Sequence, residues 1–173
     1  MRDLASAESV RALVRQFGRV ATVPTRLYLV GGATAVIEGW RETTIDVDMR
    51  IEPDEELLRA LPAMKERLDI NIELASPADF LPELPGWRER SPFVMREGQV
   101  DVFHYDLYSQ ALAKLERCFA QDLADVEAMI VSGAVDPAML RDLFAAVIDQ
   151  LYRFPAVEPD QLRRAVERLI EHD

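Results

Sequence analysis

Two aspartates one residue apart, Asp46 and Asp48, lie in the alternating acidic and apolar stretch "IDVDMRI". A period of two is typical of a β-strand, on which both carboxylates point to the same face. Carboxylates held this close repel each other and raise a pKa unless a cation neutralises them. Mg²⁺ binds carboxylate oxygens together with substrate phosphates, so the pair is either a magnesium site or a solvated strand face.

A glycine pair precedes the aspartates in "LYLVGGATAVIEGW". The apolar run 26–30 predicts a short strand, and a helix is predicted over 33–40, so Gly31-Gly32 forms the turn between them. Without side chains, this turn lets a phosphate approach the backbone, and the start of the helix offers free N–H donors. The hydroxyl of Thr34 bonds either to such a phosphate or to the backbone.

The remaining chain must form the elements that position these residues. A helix is predicted over 6–20 with Ser6 as N-cap, and Pro53 suits the first turn of a helix that runs to about Leu68. The stretch "DINIELAS" predicts a strand, 76–91 a loop, and "PFVMREGQVDVFHY" a hairpin turning at Glu97-Gly98. Helices follow over 106–118, 121–132, 137–153 and 159–171. We therefore expect an α+β core over 1–105 and a helical part over 106–173.

The spacing from Val30 to Met49 resembles the signature of the nucleotidyltransferase fold shared by DNA polymerase β and kanamycin nucleotidyltransferase. The resemblance implies a small mixed sheet flanked by helices, with a helical C-terminal extension. It further implies that Gly31 and Gly32 contact the phosphates of an NTP and that Asp46 and Asp48 hold two Mg²⁺ ions. A third metal carboxylate is usual in this fold. Glu73 and Asp101 compete for that role, and strand order favours Glu73.

Lys114 lies on a helical stripe with Leu107, Ala111 and Cys118. A lysine in such a stripe either snorkels to solvent or faces a carboxylate or phosphate. The stretch from Tyr105 to Ile130 resembles bacterial AbiEii-type proteins, in which a helical lysine precedes a basic residue and Asp-x-x-Asp. The matching positions here are Lys114, Asp122 and Asp125, while Gln121 replaces the basic residue. By this resemblance Lys114 and Asp122 contact nucleotide and Asp125 serves catalysis.

The composition limits the partners. The 173 residues carry a formal net charge of −11, which argues against an extended DNA-binding surface. No apolar stretch reaches the roughly 18 residues of a membrane span. The single cysteine, Cys118, forms no internal disulfide and is expected in the core, and a reducing cytoplasm is the simplest setting.

These observations favour Mg²⁺-dependent transfer of a nucleoside monophosphate from an NTP to a hydroxyl. The AbiEii resemblance adds a tRNA-like or protein acceptor and a toxin–antitoxin role with a cognate antitoxin. The alternative is a nucleotide-binding or protein-interaction module on the same fold that lacks catalysis, which the missing basic residue before Asp122 favours.

Overall fold

The computed structural model describes residues 2–171, which divide into two compact units. The first contains the described residues of Met1–Ser76 together with Ser91–Tyr105. The second contains Pro77–Arg90 and the described residues from Asp106 onward. The chain thus enters the second unit twice, at Pro77 and at Asp106.

The first unit is α+β and is built on a mixed sheet of five strands. Its elements are β1 (Ala5–Ser6), α1 (Ala7–Val20), β2 (Thr25–Val30), α2 (Gly32–Ile37), β3 (Thr43–Thr44), β4 (Asp46–Glu52), α3 (Glu55–Leu68), β5 (Asn71–Leu74), β6 (Phe93–Glu97) and β7 (Val100–His104). The sheet order is β5-β4-β2-β7-β6. β4 pairs antiparallel with β2 and parallel with β5, while β7 pairs parallel with β2 and antiparallel with β6. β1 and β3 form a separate antiparallel pair.

Strand alternation separates a core face of this sheet from a polar face. On β4, Val47, Met49 and Ile51 are buried, whereas the acidic and basic residues between them are half-buried. The core face packs with the apolar stripes of α1 and α3, which include Leu13 and Leu57. Each such side chain contributes about 1.5–3 kcal/mol by burial. The core therefore fixes the register that orients Asp46 and Asp48 away from it.

The helix ends show where local sequence signals succeed and fail. Ser6 caps α1 as predicted, accepting from the backbone N–H of Ser9 in a capping box. The prediction for Pro53 is wrong, because α3 begins at Glu55 behind Asp54. α3 also continues through Pro62, whose ring lies on the exposed side of the helix. Packing of Leu57, Leu61 and Met64 thus outweighs the backbone hydrogen bond that a proline removes.

The second unit is helical. It contains α4 (Trp87–Arg90), α5 (Leu107–Arg117), α6 (Ala120–Val131), α7 (Pro137–Ala145) and α8 (Pro159–Glu171), with 3₁₀ turns at Pro77–Asp79 and Ile148–Arg153. The helix predicted over 137–153 is therefore interrupted after Ala145. None of the helices within residues 2–171 is long and apolar enough to cross a membrane.

The segment predicted as a loop over 76–91 is more ordered than its prolines suggest. Leu81, Leu84 and Trp87 are buried. Arg90 binds the fully buried carboxylate of Asp106 through two hydrogen bonds of 3.0 and 2.8 Å, and Asp106 also caps α5 by accepting from the Ser109 backbone N–H. Cys118, expected in the core, is exposed because α5 ends there in a left-handed cap with φ 59°.

Candidate functional site

The polar face of the sheet carries an acidic cluster at the end of β4 where Asp46 and Asp48 lie. The parallel pairing of β4 with β5 sets Asp46 opposite Asn71 and Asp48 opposite Glu73. Asn71 Nδ2 donates to Asp46 Oδ1 at 2.5 Å and to Glu73 Oε1 at 3.2 Å. One amide group thus bridges two of the carboxylates, and the structure brings the two predicted aspartates and Glu73 together.

Gly31 lies against this cluster because β2 pairs Val30 with Asp48. Its φ of 59° is in the range that favours glycine. A Cβ at this position would lie 3.4 Å from Asp48 Oδ2. The turn therefore keeps its backbone next to the Asp48 carboxylate. α2 has six residues, so the missing side chain of Gly31, more than the helix dipole, distinguishes this position.

A glycine is required at position 32 for a different physical reason than at position 31. It is buried, and a Cβ there would lie 1.9 Å from Thr44 Oγ1. The Thr44 hydroxyl in turn donates to the Asp46 carbonyl oxygen at 3.0 Å. Gly32 thus makes room for the residue that leads the chain into β4. The sequence analysis assigned both glycines to phosphate, and the structure adds a packing requirement for the second.

Thr34 is fully buried, and its hydroxyl already has protein partners. It donates to the Leu29 carbonyl oxygen at 3.1 Å and lies 3.1 Å from Nδ1 of His104. Nε2 of His104 lies 2.7 Å from Oε1 of Glu38. Burial lowers the pKa of His104, although the Glu38 carboxylate opposes that shift. Of the two roles considered for Thr34, the structure shows the backbone contact.

Asp101 lies at the opposite end of the same sheet face. Its partner on β2 is Arg26, which pairs on β4 with Glu52, so Asp101 is remote from the Asp46 end. The Arg96 guanidinium binds it through Nε and Nη2 at 2.5 and 2.8 Å. These hydrogen bonds hold the pKa of the Asp101 carboxyl below its usual range. The structure therefore does not bring Asp101 to the acidic cluster.

Lys114 forms a buried ion cluster in the second unit. Its Nζ lies 2.6 Å from Asp125 Oδ2 and 3.6 Å from Asp122 Oδ1, and all three side chains are under 5% exposed. This burial excludes snorkelling and selects the carboxylate contact that the sequence analysis left open. Gln121, at the position where a basic residue was expected, donates to Asp125 Oδ1 at 3.2 Å.

One atom of this ion cluster stands out. Among residues 2–171, Asp122 Oδ2 is buried without a hydrogen-bond partner. Its other oxygen accepts from Nη2 of Arg117 at 2.5 Å. A buried carboxylate oxygen without a hydrogen-bond partner carries a desolvation cost of about 1–3 kcal/mol or more.

Comparison with protein families places these features in context. Residues 9–170 match the model of the family described as "Nucleotidyltransferase of unknown function (DUF6036)". The chain belongs to this family. The family description agrees with the α+β fold and supports nucleotidyltransferase activity in general, with a nucleotide as substrate. No curated protein and no solved structure matches the chain.

Three side chains near the site were not assigned by the sequence analysis: Asn71, Glu38 and His104. Asn71 shares a strand face with Glu73, which the alternation of β5 does indicate. Glu38 follows Thr34 by four residues, the spacing of one helical face. The signal for His104 is non-local, because its contacts join residues 66 and 70 positions apart.

Proposed function

We propose that this member of the DUF6036 family transfers a nucleoside monophosphate from an NTP to a hydroxyl acceptor and releases pyrophosphate. The acidic cluster carries the proposal: Asp46 and Asp48 share a strand face, and Glu73 lies opposite Asp48 on the next strand. Gly31 beside Asp48 leaves space for a phosphate against the backbone. The family match supports the general activity.

The chemistry of the donor set fits Mg²⁺. Within residues 2–171, no group of three or more His, Cys, Asp or Glu side chains is placed so that it could hold a metal ion. Mg²⁺ is usually held by one or two carboxylates, substrate phosphates and water, not by an all-protein cage. Asp46 and Asp48 would hold it, with Glu73 adjacent. When bound, it supplies charge stabilisation for the transferring phosphoryl group.

The protein's own residues have separate tasks in this proposal. Asn71 fixes the orientation of the Asp46 and Glu73 carboxylates through its amide hydrogens. Thr44 and Gly32 fix the chain entering β4, because their close packing leaves little freedom there. These contacts preorganise the carboxylates before nucleotide arrives, which lowers the cost of binding.

The ion cluster of the second unit holds three buried side chains, Lys114, Asp122 and Asp125. Lys114 contributes the positive charge, shared with Asp125. The sequence resemblance of Tyr105–Ile130 to AbiEii-type proteins adds to the proposal a tRNA-like or protein acceptor and a toxin–antitoxin role with a cognate antitoxin.

A second candidate function is that of a nucleotide-binding or protein-interaction module on the same fold that lacks catalysis. One observation favours it: Lys114 already lies 2.6 Å from Asp125, and a glutamine occupies the expected basic position. A phosphate there would have to compete with the carboxylate for the ammonium group.

Pyrophosphate release separates the two functions. The protein is incubated with Mg²⁺, each of the four NTPs, and pools of bacterial RNA or protein as acceptor. The transferase proposal expects pyrophosphate from at least one pairing, and its loss in the Asp46→Asn, Asp48→Asn double variant. Equal release by the double variant would contradict it. Mg²⁺–NTP binding without release from any pool would favour the non-catalytic function.

A further inference from the structure

His104 is a buried titratable side chain to which the proposed reaction gives no role. It ends β7 with 2% of its surface exposed. Its two ring nitrogens contact side chains from successive turns of the α2 segment: Nδ1 contacts Thr34, and Nε2 contacts Glu38. The ring therefore links the strand to the helix that follows the Gly31 turn.

The contacts of His104 extend through Thr34 to Leu29, which lies on the other side of the Gly31 turn. Thr34 Oγ1 lies 3.1 Å from the carbonyl oxygen of Leu29, and this carbonyl oxygen also accepts from the backbone N–H of Tyr105 at 2.8 Å. Leu29 precedes Gly31 by two residues, whereas Thr34 follows it by three. The chain of contacts Glu38–His104–Thr34–Leu29 thus brackets the glycine turn on both sides.

Protonation of the His104 ring changes which atoms donate and accept along this series of contacts. With a neutral ring, Nε2–H donates to Glu38, and Nδ1 accepts the single hydroxyl hydrogen of Thr34. With a protonated ring, Nδ1–H donates to Thr34, whose hydrogen then turns to the Leu29 carbonyl oxygen. In both states the carbonyl oxygen of Leu29 keeps the hydrogen bond from the backbone N–H of Tyr105. Protonation of the ring therefore changes the hydrogen bonding of the backbone next to the turn.

Glu38 is the charged group that contacts the ring. The charged side chains of the neighbouring elements α1, β2 and β6 are exposed, except for half-buried Glu97, and Arg96 is bound to Asp101 on the polar face of the sheet. These side chains are Glu8, Arg11, Arg15, Arg19, Arg26, Arg96 and Glu97. Glu38, by contrast, contacts the ring directly, with its Oε1 2.7 Å from Nε2 of His104.

We propose that His104 is a positioning residue: through Thr34 it sets the Gly31 turn against Asp48, and thereby tunes the affinity for Mg²⁺–NTP. This inference rests on the proposed function. Two substitutions separate the two ring contacts. His104→Asn retains an amide near the Nδ1 position and keeps the Thr34 contact, whereas His104→Gln reaches towards Glu38 and loses Thr34.

The test combines a nucleotide-independent readout with a binding readout. In amide NMR spectra recorded against pH, the Gly31 resonance of the wild type should shift with the midpoint measured at the His104 ring, and Thr34→Val should abolish that shift. Mg²⁺–NTP affinity, measured by calorimetry with each NTP, should fall about 10-fold in His104→Gln and recover in His104→Asn.

Each outcome tests either the positioning role of His104 or the proposed function. A Gly31 resonance that does not follow His104 in the wild type overturns the positioning role, even if the variants fail to fold. Equal affinities of the two His104 variants also overturn it. A Gly31 resonance that follows His104 in a protein that binds no Mg²⁺–NTP supports the positioning of the turn and defeats the proposed function instead.

Discussion

Asp48 and Glu73 face each other across the parallel strands β4 and β5, and Asn71 ties Glu73 to Asp46 through one amide group. The acidic cluster is thus built from residues 25 positions apart in the chain, held by strand register. Like charges so arranged are stabilised by a bound cation.

The first prediction concerns metal and nucleotide binding by Asp46 and Asp48. Mg²⁺ with an NTP at 100 times its Kd should stabilise the wild type by about 2.7 kcal/mol, raising Tm by roughly 5–11 °C. The Asp46→Asn, Asp48→Asn variant should lose this rise in a thermal-shift assay. Glu52→Gln, on the same face and strand but at its other end, is the matched control and should keep it. An unchanged rise in the double variant would place the site elsewhere.

The second prediction distinguishes Glu73 from Asp101 as the third carboxylate. Glu73→Gln should raise the Mg²⁺ concentration needed for half-maximal Tm increase, because its charge lies opposite Asp48. Asp101→Asn should not, because its charge is neutralised by Arg96 at the other end of the sheet. The reverse ranking of the two Mg²⁺ titrations would contradict the assignment.

The third prediction concerns the backbone at Gly31. Gly31→Ala should cost about 1–3 kcal/mol of stability through its positive φ, and should also weaken Mg²⁺–NTP binding by filling the space beside Asp48. Gly39→Ala is the control, because Gly39 also has positive φ, 78°, but has nothing within 4 Å of its added Cβ. Both variants should lose stability in urea unfolding. Equal Kd values for the two would show that the space at Gly31 has no part in binding.

The fourth prediction concerns the buried ion cluster. Lys114→Met should lower the free energy of unfolding by about 3–5 kcal/mol, because it leaves the Asp125 carboxylate buried without its cation. The additional change Asp125→Leu should recover part of this loss in denaturant unfolding. A Lys114→Met variant as stable as wild type would mean that the carboxylates do not depend on the lysine.

The fifth prediction is a pH effect with a defined sign. Unfolded His104 takes up a proton near its ordinary pKa of about 6.5, whereas burial lowers the pKa in the folded protein. Between these two values the unfolded state binds more protons, so stability falls as pH falls. Urea unfolding at pH 7 and pH 5 should therefore show a larger loss for wild type than for His104→Gln. Parallel losses would remove His104 as the cause.

The sequence analysis correctly predicted the helices and strands that are specified by signals within a few residues. Alternation defined β4, the capping residue Ser6 marked the start of α1, and the spacing of glycines and aspartates indicated the fold. These signals lie within a few residues of the structure that they specify. Local signals do not show where a segment packs against residues that are distant in the sequence. The loop over 76–91 was therefore misjudged, because the burial of Leu81, Leu84 and Trp87 orders it.

The candidate site likewise combines features that local sequence predicts with contacts that depend on distant residues. The pairing of Asp46 with Asp48 follows from strand periodicity, but the contact of His104 with Thr34 depends on the register of β7 against β2. Whether Lys114 reaches solvent or faces a carboxylate was decided by its burial, which the spacing of apolar residues does not reveal. The packing of Gly32 against Thr44 likewise depends on where two separate segments meet.

The position of the transferred label tests the central claim most directly. The protein is incubated with Mg²⁺, bacterial RNA or protein, and an NTP labelled at either the α- or the γ-phosphorus. The account predicts label on the acceptor from the α-labelled NTP, labelled pyrophosphate from the γ-labelled one, and neither from the Asp46→Asn, Asp48→Asn variant. Label on the acceptor from the γ-phosphorus alone would show phosphoryl transfer and contradict it.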